Sequence, residues 1–168
     1  MPAYIVTLAV ALVLAGCGWK PIYSSSSSLS THRLLASIDI LPIPERAGQI
    51  LRENLEINLT PYGKNADKRY RLKVTLDEAN SLAGLQGDAT YTRTQLTATA
   101  RFQLTDTQRN KVILRGRRIV HTNFDYLESP YAHMISAREH TKRLMKRLAE
   151  MLTIKIVAFL QHYHEKHS

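Results

Sequence analysis

The stretch Gln95-Leu96-Thr97-Ala98-Thr99-Ala100-Arg101-Phe102-Gln103-Leu104 (95–104) decides the fold class. Leu96, Ala98, Ala100, Phe102 and Leu104 fall on one side of an extended chain. Gln95, Thr97, Thr99, Arg101 and Gln103 fall on the other, with Arg93 in the same row. Strict alternation of this kind marks a strand buried on one face and wet on the other. The pattern recurs upstream, with Leu72, Val74 and Leu76 opposed to Arg71, Lys73, Thr75 and Asp77, and a Gly-containing segment (Gly84 to Gly87) separates the two. Downstream, Thr105 to Lys111 reads as a polar hairpin connection, after which Val112 and Leu114 open a third strand facing inward. Its alternation breaks at Gly116-Arg117-Arg118, where a bulge would return Ile119 or Val120 to the core side.

Two helical patterns flank these strands. Ser37 to Leu41 is a short apolar segment, predicted as a strand and stopped by Pro42 and Pro44. Pro44 suits the first turn of a helix, where its missing N–H costs nothing. From there Ala47, Ile50, Leu51, Leu55 and Leu59 recur at helical spacing until Pro61 and Gly63 end the pattern. After Ser129-Pro130 a long helix is predicted from about Tyr131 to Gln161, its stripe carried by Ala137, Thr141, Leu144, Leu148, Leu152 (or Met151), Ile156 and Phe159. The order β-α-β-β-β-α predicts an α+β two-layer sandwich with a four-stranded mixed sheet. The first strand, crossing by its helix, should lie parallel to a later one, and the rest form an antiparallel meander. The sheet has one apolar face, so both helices belong on it.

That arrangement leaves the opposite face open, with Arg71, Lys73, Arg93, Arg101, Arg115 and Arg117 displayed among Thr and Gln and Asp77 as the main acid. Antiparallel sheets commonly wet one side, so a solvated face is the plain alternative. Two features favour a binding surface. Like charges facing one another across strands are destabilising unless an anion offsets them. Arg also dominates over Lys here, and Arg engages phosphate bidentately where Lys is a point charge. These six residues are the candidate anion-binding set. The basic side of the last helix, Lys142 to Arg147, reads instead as the ordinary solvated face of an amphipathic helix.

The N-terminus supplies the cellular context. Tyr4 to Ala15 is uncharged and, at 12 residues, too short to span a bilayer. It ends in Leu14-Ala15-Gly16-Cys17, a small-residue cleavage site directly before the chain's only cysteine. This resembles the lipobox of bacterial lipoproteins, whose cysteine becomes the acylated N-terminus. Residues 1–16 are then a signal peptide, although they hold no Lys or Arg. Cys17 is the lipid-attachment residue, and residues 17–33, with the run Ser24 to Ser28, form a flexible tether. The domain is expected over residues 34–162, followed by a flexible tail at 163–168. With one cysteine no internal disulfide is possible, and an acylated Cys17 excludes a catalytic thiol.

The formal net charge is +9, and residues 101–168 hold 13 Lys and Arg against 6 Asp and Glu. In a cytosolic protein this excess would suggest nucleic acid. Behind a secretion signal the available polyanions are lipid head groups, lipopolysaccharide phosphates and cell-wall polymers, so no nucleic-acid partner is expected. His162, His164 and His167 carry no metal-ligand spacing and read as a solvated tail, and no metal site is expected. His121 and His140 stand isolated, and Gly84-Leu85-Gln86-Gly87 lacks the context of a phosphate loop. No cofactor and no enzymatic activity are expected.

Longer motifs carry a family resemblance. Leu-Ala-Gly-Cys-Gly-Trp-Lys-Pro-Ile-Tyr (14–23) resembles the start of the lipopolysaccharide-assembly lipoproteins of the LptE family, particularly their alphaproteobacterial branch. Ile38 to Gln49, the helix through Leu51-Arg52-Glu53-Asn54-Leu55, and Tyr126 to Ala132 are similar to the same family. The serine run departs from it. The resemblance implies two helices on a four-stranded sheet. It also implies anchoring by lipid in the outer membrane, at its periplasmic face. The implied work is to plug the β-barrel LptD, assist its assembly and take part in inserting lipopolysaccharide into the outer leaflet. An LptD-type barrel and lipopolysaccharide are thus the expected partners. A lipoprotein binding another anionic envelope component or secretion machine through the same face is the alternative.

Overall fold

The computed structural model describes residues 35–60, 67–85, 91–125, 127 and 129–165, all within the compact unit Thr31–Ser168. The signal segment, Cys17, the serine tether and residues 166–168 lie outside the described residues. Strand β1 (Ile38–Ile40) leads through Pro42 and Pro44 into helix α1 (Glu45–Leu59). Strands β2 (Tyr70–Leu85), β3 (Tyr91–Asp106) and β4 (Lys111–Asp125) follow, and helix α2 (Pro130–Glu165) closes the domain. The sheet order is β1-β2-β3-β4, with β1 parallel to β2 and the other pairs antiparallel. The expected α+β sandwich with a mixed sheet is therefore the fold.

The alternating rows explain the two layers. On the sheet, Tyr70, Leu72, Val74, Ala98, Ala100, Phe102 and Leu104 are buried. From the helices, Leu51, Leu55, Leu59, Leu148, Leu152 and Ile156 meet them in one core. Full burial of each such aliphatic side chain contributes roughly 1.5–3 kcal/mol. Both helices stand on the same side because only that side can cover their apolar stripes. Gly48 lets α1 pack under the proline turn: a Cβ there would lie 2.7 Å from Ile43 Cγ2 and 2.9 Å from its carbonyl oxygen.

The third strand departs from the sequence reading in where its register slips. The irregularity falls between Leu104 and Thr105 of β3, which pair with Leu114 and Val112, so Ile113 is the additional residue. Ile113 and Leu114 pack against the core, and Val112 instead stands opposite Thr105. Beyond Leu114 the alternation runs unbroken, and Val120, rather than Ile119, is buried. Gly116 and Arg118 thus occupy core-side positions. Gly116 makes room for the Phe102 ring opposite, since a Cβ would approach Phe102 Cζ to 2.5 Å. Arg118 sits on the edge strand, partly exposed, with its guanidinium donating to the Arg117 carbonyl at 3.1 Å. The apparent break in the pattern is a glycine and an edge arginine, and the bulge is three residues upstream of Gly116.

The ends of α2 are also more firmly held than expected. The helix continues to Glu165, so Tyr163 and His164, expected in a flexible tail, are helical. The Tyr70 hydroxyl and His164 Nε2 are 2.9 Å apart, and Arg109 Nη1 donates to the Tyr163 hydroxyl at 3.2 Å. Burial, more than its charged neighbours, raises the Tyr70 pKa, so the phenol stays protonated. The same end holds the β3–β4 hairpin: fully buried Asp106 accepts from the amides of Gln108 and Arg109 at 3.0 and 3.2 Å, and Asn110 takes a left-handed φ of 47°. At the other end His140 is not isolated but stacks on Phe124 of β4 at 4.8 Å, between planes 14° apart.

Gly116→Val inserts atoms where the Phe102 ring lies and is expected to destabilise the fold by about 1–3 kcal/mol, despite valine's preference for strands. The check is a urea midpoint shifted downward with an unchanged slope; an unshifted midpoint would show that the ring has room to move.

Candidate functional site: a basic sheet face

The face turned away from the helices carries every predicted basic residue, and the register fixes their rows. Thr75, Arg101 and Arg117 stand side by side across β2, β3 and β4; Lys73, Gln103 and Arg115 form the adjoining row. Neighbours within a row are about 4.8 Å apart at the backbone, and the rows are two residues, roughly 7 Å, apart. Four cations therefore surround one shallow depression of about 540 Å³, lined by Lys73, Arg101, Gln103, Arg115 and Arg117. All four are exposed.

The six expected residues are not equivalent. Arg71 lies one row beyond the cluster, next to Asp39 across the β1–β2 pairing. Arg93 lies eight residues from Arg101 along β3, roughly 27 Å away, and faces Asp125 with 3.9 Å between charged atoms. The acids that sequence reading underestimated are these partners. Asp125 stands 3.9 Å from Arg93, beyond hydrogen-bond distance, and Asp77 Oδ2 accepts from Arg101 Nη1 at 2.6 Å. Both pairs are well exposed, so each contributes about 0–1 kcal/mol to stability. Lys73, Arg115 and Arg117 have no ion pair among the described residues. Arg101 and Arg117 stand directly opposite one another, an arrangement unfavourable for the bare fold.

Chemically the depression is lined mainly by cationic N–H donors, and the carboxylate paired with one of them is Asp77. Three guanidiniums and one ammonium within two rows suit a ligand bearing several negative charges close together. The threonines and glutamines between them offer hydrogen bonds to hydroxyl groups.

Fold and face together define an α+β two-layer domain with one covered and one cationic, exposed sheet surface. The family model described as "LptE: Lipopolysaccharide-assembly" matches residues 35–160. The chain belongs to the LptE family. Solved structures share the architecture. A Caulobacter crescentus CB15 protein described as a lipoprotein aligns with a TM-score of 0.65 at 20% identity, covering 79% of this chain and 97% of that one. A minor lipoprotein from Acinetobacter baumannii aligns at 0.59 and 22% identity, over 73% and 92%. The rare lipoprotein B from Shewanella oneidensis aligns at 0.56 and 12% identity, over 76% and 99%. At these identities the likeness is one of fold. No curated protein matches the sequence.

Asp77→Asn removes the carboxylate that competes for Arg101. Stability should change by less than about 0.5 kcal/mol, whereas affinity for inorganic pyrophosphate, read by calorimetry, should rise about two- to fivefold from the roughly 1 kcal/mol that a contact charge is worth in water. Unchanged or weaker binding would place the anion elsewhere.

Proposed function

We propose that this chain is a lipid-anchored outer-membrane protein, acylated at Cys17, that plugs and assists assembly of an LptD-type β-barrel and binds lipopolysaccharide phosphates on its basic sheet face. Membership of the LptE family supports the assembly role. The observation that carries the ligand assignment is the convergence of Lys73, Arg101, Arg115 and Arg117 on one depression in a face with no covering layer among the described residues. Arg71 extends the patch towards β1, and Arg93, facing Asp125, contributes least. The protein's part is non-enzymatic: fixed cations hold the anionic head group while the barrel provides the passage.

The test is binding of lipopolysaccharide to the purified chain, comparing the parent with Arg101→Glu/Arg117→Glu. Both residues are exposed, so the double variant should fold. A loss of at least tenfold, together with a shallower salt dependence in the variant, is expected. Equal binding by the two proteins would exclude this face. Binding of other anionic envelope polymers with equal strength would favour the broader reading of an anion-binding lipoprotein.

A further inference from the structure

One helix of the layer, α1, is shorter than the strand beneath it. β2 has 16 residues, about 53 Å of strand, and α1 has 15, about 22 Å of helix. Along the helix side of β2, Tyr70, Leu72 and Val74 are buried, whereas Glu78, Asn80 and Leu82 are exposed, Leu82 to 51%. Across the ladder on β3 their counterparts Ala98, Leu96 and Thr94 remain buried. α1 thus covers the first half of β2 and leaves the second bare. An open groove of about 1210 Å³ occupies the vacancy, lined among others by Glu45, Ile50, Glu78, Met134, Ile135 and Lys142.

The same half of β2 has a free edge. Tyr70 N donates to Ser37 O at 3.1 Å and Leu41 N donates to Leu72 O at 3.0 Å. Even-numbered residues therefore turn their backbone groups towards β1, and odd-numbered ones bond to β3. β1 ends at Ile40, so no described backbone group meets Val74, Leu76, Glu78, Asn80 or Leu82 on that side. Free edges of this length are normally guarded by proline, a bulge, an inward-pointing charge or a covering element, and on this stretch Glu78 is the guard of that kind. β2 has no proline, and its register with β3 is unbroken from Tyr70 to Ala83.

Groove and edge run along one strand, so a chain laid against the edge would drop every second side chain into the groove. The groove walls carry both signs, Arg46, Arg138 and Lys142 among them, so the selection falls to the acid on β2 itself, Glu78. Glu78 has no ion pair among the described residues, and partial burial first, then the charge of Glu45, raise its pKa. A lysine or arginine entering beside Glu78 would offset both effects by favouring the charged carboxylate, and Met134 and Ile135, each 40% exposed, offer apolar contact.

We infer that the edge of β2 from Val74 to Leu82 receives an extended strand of a partner polypeptide, whose groove-side residues are apolar with at least one lysine or arginine opposite Glu78. Backbone hydrogen bonds supply the affinity and the groove supplies the selection, as in other cases of strand addition. This surface is separate from the basic face and does not depend on the lipopolysaccharide assignment.

The experiment uses the full chain in mild detergent and three blocked nine-residue peptides with threonine at every second position: a valine–lysine peptide whose other positions are valine around one central lysine, a valine–glutamate peptide with glutamate at that centre, and the valine–lysine peptide with one groove-side valine replaced by proline. Site-resolved amide exchange is followed on both sheet edges. The valine–lysine peptide should slow exchange at Leu76, Glu78 and Asn80 at least tenfold and leave β4 unchanged, and the proline peptide should not. Asn80→Pro removes one outward N–H without touching the β3 ladder and should abolish the protection. Glu78→Lys, which keeps every backbone group, should weaken the valine–lysine peptide at least tenfold and favour the valine–glutamate one. Four results would overturn the inference: these amides being protected before any peptide is added, which would mean the chain's own residues fill the edge; no binding at millimolar peptide; binding indifferent to both substitutions; or equal protection by phosphatidylglycerol vesicles, which would make the groove a lipid site.

Discussion

Phe102, Leu104 and Leu72 on the sheet meet Leu51, Leu148 and Leu152 on the helices in one continuous core, and the other surfaces are what that contact leaves over. A sheet with a single apolar face accepts helices on one side only. Once α1 and α2 are placed there, the other face has no covering element among the described residues. The length mismatch between α1 and β2 follows from the same contact. β1 stops at the proline turn, α1 starts where the turn permits, and among the described residues the far half of β2 keeps an unpaired edge above an open groove.

The basic face is costly for an isolated domain. Arg101 against Arg117, with Lys73 and Arg115 one row away, places four cations where a neutral row would be more stable. Asp77 offsets one of them at the surface, weakly because water screens the pair. The proposed phosphate ligand would offset all four together, which would make its binding and relief of this repulsion the same event. The apolar side, by contrast, tolerates little change: Gly116 must stay small for Phe102, and Gly48 for Ile43.

Much of this was legible in the sequence. The period-two rows of β2 and β3 and the stripe of α2 are long enough for periodicity alone to assign them, and the fold class follows from their order. The six basic residues were assigned to one face correctly, because parity along a strand is a local property. Register was not legible. Whether Arg101 meets Asp77, or Arg93 meets Asp125, depends on how β2 and β3 align, and the connecting segment does not specify that. The break at Gly116 was misplaced because a glycine filling a core position looks, in sequence, like an interruption. The groove beside Glu78 left no sequence signal, since it arises from the difference in length between two elements that each look regular. The hold on Tyr163 and His164 was hidden similarly, as their partners Arg109 and Tyr70 lie more than fifty residues away.

The central claim, that the open face meets lipopolysaccharide in the envelope, is tested most directly by a photo-crosslinking residue in place of Gln103, between Lys73 and Arg115, in the full-length protein in cells. The account predicts a lipopolysaccharide adduct on illumination, and none from the same residue placed at Ile154 on the exposed side of α2. An adduct to a barrel protein alone, or equal lipopolysaccharide labelling from both positions, would contradict it.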